Sequence, residues 1–178
     1  AKSSGSVAAP TAGLHFTKKV LKQLEKKGVK IFKVTLHVSL GTFAPVEVSD
    51  IKKHKIHHEW ASIDQKTVDA LNKLKKQSKN IIAIGTTSAR TLEAFSAKTG
   101  KLQSGDKWVD IYIYPGYKYR FVDDLITNFH LPKSSLLFMV SALATRELII
   151  KTYKKAVAKK YRFFSFGDAM FISKNRLK

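Results

Sequence analysis

The spacing of apolar and polar positions changes period several times along the chain. Between Thr17 and Lys27, Phe16 and Leu21 stand as the two ends of a hydrophobic staple and Gly28 supplies a stop, which predicts a helix. From Lys33 to Leu40 the alternation is strict, with Val34, Leu36, Val38 and Leu40 on one face and Lys33, Thr35, His37 and Ser39 on the other, which predicts a strand. The segment from Gly41 to Val46 turns away, because Pro45 cannot continue a central ladder. Ser62 to Gln65 reads as a capping box for a helix carrying Val68, Leu71 and Leu74. Ile81 to Phe95 reads as a short apolar strand, a tight turn at Gly85 and a helix with Leu92 and Phe95 on one side. Its N-cap is expected at Thr87 or Ser88, with Arg90 in the first turn and facing solvent.

The second half alternates in the same way. Thr99 to Lys107 reads as a surface loop, and Asp110 to Tyr114 with Tyr117 to Phe121 reads as a hairpin closed by Pro115 and Gly116. Thr127 to Pro132 reads as a polar turn, after which Leu136 to Ala144 is apolar almost all round and must be a buried helix capped by Ser134 or Ser135. Arg146 to Lys160 reads as an amphipathic, basic helix, and Ala169 to Ile172 as a final strand. Strands and helices in alternation predict an α/β fold, taken as one domain over residues 1–178, with no internal repeat.

Composition changes this picture in one respect. With 33 Lys and Arg against 13 Asp and Glu, the net charge of +20 points to a polyanionic partner, RNA or DNA before an anionic membrane. Zero cysteines exclude disulfides, thiolate metal sites and a cysteine nucleophile. With no apolar run long enough to cross a bilayer and no secretory signal, a cytoplasmic protein is expected. The start at Ala1 instead of Met suggests a fragment or a processed terminus.

Candidate chemistry concentrates in a few places. The turn after Ile84 opens a helix, and free N–H groups there favour an anion. It matches neither the G-x-x-x-x-G-K-[ST] nor the G-x-G-x-x-G phosphate-binding pattern. His54, His57, His58 and Glu59 form the densest ionisable group, suited to acid–base work and short of any strong zinc motif. Interleaved aromatic and basic residues at 108–121 suit stacking on bases, although tyrosines packing across strands produce the same pattern.

Six ordered blocks carry a resemblance: Ala8 to Thr17, His37 to Val46, Gly85 to Glu93, Asp110 to Tyr117, Thr127 to Pro132 and Tyr161 to Met170. Together they closely resemble the S-adenosylmethionine:tRNA ribosyltransferase-isomerase family of queuosine biosynthesis. The resemblance implies a mixed sheet with flanking helices, the large-domain portion of a two-domain enzyme whose inserted small β-barrel is absent from this chain. Departures include Ser39 where the family has Gly, Ile56 and His58 in the histidine segment, and Thr145 where Gly is usual. None of them removes an ionisable residue from the blocks.

The resemblance also implies a reaction. The ribosyl portion of S-adenosylmethionine moves onto the aminomethyl-deazaguanine base at the tRNA wobble position, giving epoxyqueuosine-tRNA, adenine and methionine, with no metal. For this chemistry Thr86, Thr87, Ser88 and Arg90 are candidates to hold the methionine carboxylate or an RNA phosphate. His15, His37, His57 and Glu59 are candidates for the general base, and Asp110, His130 and Asp168 for protonating or orienting adenine. Asn128 suits a base edge, while Tyr112, Tyr114 and Phe129 suit stacking. A monomer acting on tRNA is expected. Two other readings stand beside this one: a basic RNA-binding module without catalysis, and a metal-dependent hydrolase built on His54, His57 and Glu59.

Overall fold

The computed structural model describes residues 5–39, 45–48 and 50–174. The turn expected at Gly41 to Ala44 and the last residue of the strand expected to end at Leu40 lie outside the described residues. The fold is mixed α/β, with two three-stranded sheets in place of one. The first is antiparallel, β1 (Thr35–His37), β2 (Glu59–Ile63) and β4 (Gly105–Val109), with β2 in the middle. The second has β5 (Asp124–Asn128) in the middle, parallel to β3 (Ile82–Ile84) and antiparallel to β6 (Ala169–Ser173).

A 3-10 turn at Thr11–His15 leads into α1 (Lys18–Lys26), capped by Thr17, whose hydroxyl accepts from the Val20 N–H. The helix α2 (Gln65–Lys76) is capped by Asp64, not by Ser62. A carboxylate accepting from the Thr67 N–H outcompetes a hydroxyl that lies inside β2. The all-round apolar segment is the helix α4 (Ser135–Leu143), capped by Ser134, and the basic helix is α5 (Arg146–Ala158), capped by Thr145. Between the sheets runs α3 (Thr86–Phe95), touching β1 of the first, β3 and β5 of the second, and α4. Its residues Ala89, Leu92 and Phe95 join Ala61, Ile63, Phe121, Leu125 and Val140 in one apolar core.

The hairpin expected at Asp110 to Phe121 does not form. The N–H groups of Arg120, Phe121 and Val122, which a second strand would need for its ladder, all donate at 2.9 Å to the buried carboxylate of Glu93. The Tyr117 hydroxyl donates a fourth bond at 2.8 Å. The strand that does form in this region is β4, which pairs with β2 and begins inside the segment that reads as a loop.

Candidate functional site

A cavity of about 120 Å³ lies where the second sheet, α3, the 3-10 turn and the 161–168 loop meet. The ends of β3 and β5 supply Ile84, Thr127 and Asn128, α3 opens onto it with Thr86 and Thr87, and Phe164 and Ser165 line one wall. Gly85 is the N-cap of α3, with φ +87° and no side-chain cap, so the helix starts two to three residues earlier than its hydroxyls suggest. The leading N–H groups of a helix have no partners within it, and here the missing cap leaves that end open towards the cavity.

Asn128 ties the walls together. Its Oδ1 accepts from the Thr11 hydroxyl at 3.3 Å, and its Nδ2 donates to the Gly167 carbonyl and meets His15 Nε2, each at 3.3 Å. An amide donating to Nε2 places the imidazole proton of His15 on Nδ1. The His15 ring is exposed, so it stands at the rim and not inside.

Two further candidates for proton transfer have their state decided by their surroundings. Burial pushes the His130 imidazole down to about 4, so it is neutral near pH 7, and its Nε2 meets the Thr127 hydroxyl at 3.1 Å. The Asp168 carboxyl is held below its ordinary range by hydrogen bonds from the Arg162 side chain and backbone, with the charge of His15 adding to the effect. A neutral imidazole and an ionised carboxylate are both poor proton donors, so His130 and Asp168 are better suited to accepting or orienting than to giving a proton.

The remaining candidates lie elsewhere. Arg90, expected at the surface, is buried, with its guanidinium 2.5 Å from the carboxylate of Glu59. It also donates to the backbone carbonyl of His57 at 2.9 Å, while Glu59 accepts from the Ser39 N–H at 2.9 Å. Burial lowers the Arg90 pKa, against the opposing charges of Glu59 and Asp110. Arg90 is the fifth residue of α3, and that turn points into the gap between the sheets. Glu59 therefore faces Arg90 and not the exposed His57 ring, and among the described residues no three His, Asp or Glu side chains converge as metal ligands.

His37 packs edge-on against Trp60 at 4.9 Å, and its Nε2 is buried without a hydrogen-bond partner among the described residues. Tyr112 packs against Tyr114 and His54, and Asp110 is exposed at the end of β4. Of the fifteen expected site residues, Thr86, Thr87, Asn128, Phe129 and His130 line the cavity. His15 joins them through Asn128, Asp168 stands close enough to sense the His15 charge, and Ser88 follows in α3. Thr11 and Phe164 also line it, and their membership of the first and last sequence blocks was the available signal.

A model of the queuosine biosynthesis protein family matches residues 1–172. Proteins called S-adenosylmethionine:tRNA ribosyltransferase-isomerase from Desulfitobacterium hafniense, Symbiobacterium thermophilum and Clostridium kluyveri are 51%, 53% and 54% identical to the chain. The matches cover 97%, 97% and 96% of it and 50% of each relative, so the chain spans about half the length of the curated relatives it matches. A crystal structure of S-adenosylmethionine tRNA ribosyltransferase from Thermotoga maritima is similar with a TM-score of 0.71 and 38% identity, over 90% of this chain and 51% of that one.

Proposed function

The chain belongs to the queuosine biosynthesis protein family, and from that premise we propose that it is part of an S-adenosylmethionine-dependent tRNA ribosyltransferase-isomerase. It serves transfer of the donor's ribosyl group to 7-aminomethyl-7-deazaguanine at the tRNA wobble position, with its isomerisation to epoxyqueuosine and release of adenine and methionine. The observation that carries this reading is the cavity in which Asn128, bonded to Thr11 and His15, faces the open end of α3.

The residues suit the donor's parts. The N–H groups at the start of α3, with the hydroxyls of Thr86 and Thr87, receive the methionine carboxylate. The Asn128 amide keeps His15 Nε2 unprotonated, so this nitrogen takes the proton from the carbon beside sulfur once the donor displaces the amide from it, and His130, being neutral, orients a ring by hydrogen bonding. A volume of about 120 Å³ suits one ring or one short chain, so the rest of the donor and the target base lie across the mouth. The charge of +20 suits the tRNA. The protein works as a monomer in the cytoplasm and uses no metal.

Incubation with precursor-carrying tRNA and S-adenosylmethionine labelled in its ribose tests the reading: adenine is released and label enters the tRNA. The length of the chain relative to its relatives favours one other reading, an RNA-binding portion that needs the remainder for catalysis. Salt-sensitive tRNA binding with no adenine released would favour that second reading.

A further inference from the structure

The loop that closes one side of the cavity exposes apolar rings to water in an unusual way. Phe164 is 51% and Phe166 is 86% exposed, and the Arg162 side chain of the same loop, ion-paired with Asp168 at 2.9 Å, is 74% exposed. Phe164 takes φ +69°, a left-handed conformation unfavourable for any residue with a Cβ. The loop is nevertheless tightly tied. The Phe164 N–H donates to the Phe129 carbonyl at 3.0 Å, Gly167 donates to Phe164, and Asp168 donates to Arg162 and accepts from it in return. A Cβ on Gly167 would lie 2.5 Å from the backbone of Arg162 and Phe163, so only glycine permits this closure. Beneath it, Phe163 and Tyr161 pack against Phe129 at 5.1 and 5.9 Å. A held, strained loop with its aromatics outward is a presented surface and not a frayed one.

We propose that this loop is a base-stacking lip, in which Phe166 stacks on an unpaired nucleobase of an RNA loop delivered to the cavity, with Phe164 on the inner side and Arg162 towards the adjoining phosphate. The proposal rests on the tRNA-directed reading above. Two observations select RNA as the occupant. Phe164 and Ser165 line the cavity while Phe166 lies outside it, so a ligand confined to the cavity cannot cover Phe166. The chain's excess of cations matches a polyphosphate backbone, and an exposed aromatic ring on a basic protein is a sequence-tolerant way to hold a splayed base.

The test compares a short RNA hairpin having an unpaired loop with a blunt duplex carrying the same number of phosphates, both at low salt by fluorescence anisotropy. Phe166→Ala weakens hairpin binding by about tenfold and leaves duplex binding and melting temperature unchanged, since the ring is exposed. Phe166→Trp keeps hairpin affinity, and its added fluorescence is quenched by the hairpin but not by the duplex. If the wild-type protein binds the hairpin and Phe166→Ala binds it equally well, the lip is wrong while the reading of the cavity stands, and the ring is then a cover for another protein surface. If the wild-type protein binds neither RNA, the tRNA-directed reading itself is overturned.

Discussion

Arg90 and Glu59 are 31 residues apart in the chain and 2.5 Å apart in space, a buried ion pair that joins α3 to the middle strand of the antiparallel sheet. Its side chains are 8% and 0% exposed, so neither charge has water to fall back on. Removing one partner leaves the other charged and buried, and Arg90→Ala is therefore expected to cost about 3–5 kcal/mol. Urea denaturation measures this. An unchanged midpoint would contradict the account, and replacing both residues by leucine should recover part of the loss.

Glu93, one turn further along the same helix, is fully buried and accepts three backbone N–H groups and the Tyr117 hydroxyl. Glu93→Gln turns an amide donor towards groups that are themselves donors, so it should cost about 2 kcal/mol or more. Tyr117→Phe removes a single bond and should cost about 1 kcal/mol. Loss of hydrogen-exchange protection at Phe121 and Val122 in Glu93→Gln would locate the effect.

The imidazole of His130 is pushed down to about 4 from its ordinary 6.5. Between these values the unfolded chain binds a proton that the folded chain refuses, so this residue makes stability fall as pH drops through that window and has no effect above it. His130→Asn should flatten the difference in stability between about pH 6.5 and about pH 4. Parallel curves for wild type and variant would show that His130 titrates normally.

At the cavity rim, His15→Gln should reduce adenine release by about a hundredfold or more if the residue moves the proton, with an unchanged melting temperature because the ring is exposed. Asn128→Ala should also slow release, because the His15 ring loses the amide that orients it. A rate of release equal to wild type in Asn128→Ala would mean that the amide does not position His15.

Much of the α/β character was legible in the residues, including α1, α4, α5, β3 and the last strand, because their apolar residues recur at helical or strand spacing between caps and turns. The two central strands were not. In β2 the buried face is Glu59, Ala61 and Ile63, and in β5 the buried ends include Asp124, Thr127 and Asn128, so polar residues occupy positions where periodicity looks for apolar ones. Arg90 misled for the same reason: its charge reads as solvent-facing until Glu59, distant in sequence, is brought beside it. The cavity side of the turn after Ile84 was legible from its glycine and hydroxyls, but its link to His15 depends on Asn128, which a local pattern assigns to a loop.

Arg90 and Glu93 leave α3 in different directions, one to the antiparallel sheet and the other to the 117–122 segment. A helix anchored in this way can neither rotate about its axis nor slide along it without stranding a charge. The wall it offers to a ligand at Thr86 and Thr87 is accordingly rigid, and discrimination at that wall must come from fit to a fixed template, with any adaptation left to the ligand and to the opposite rim.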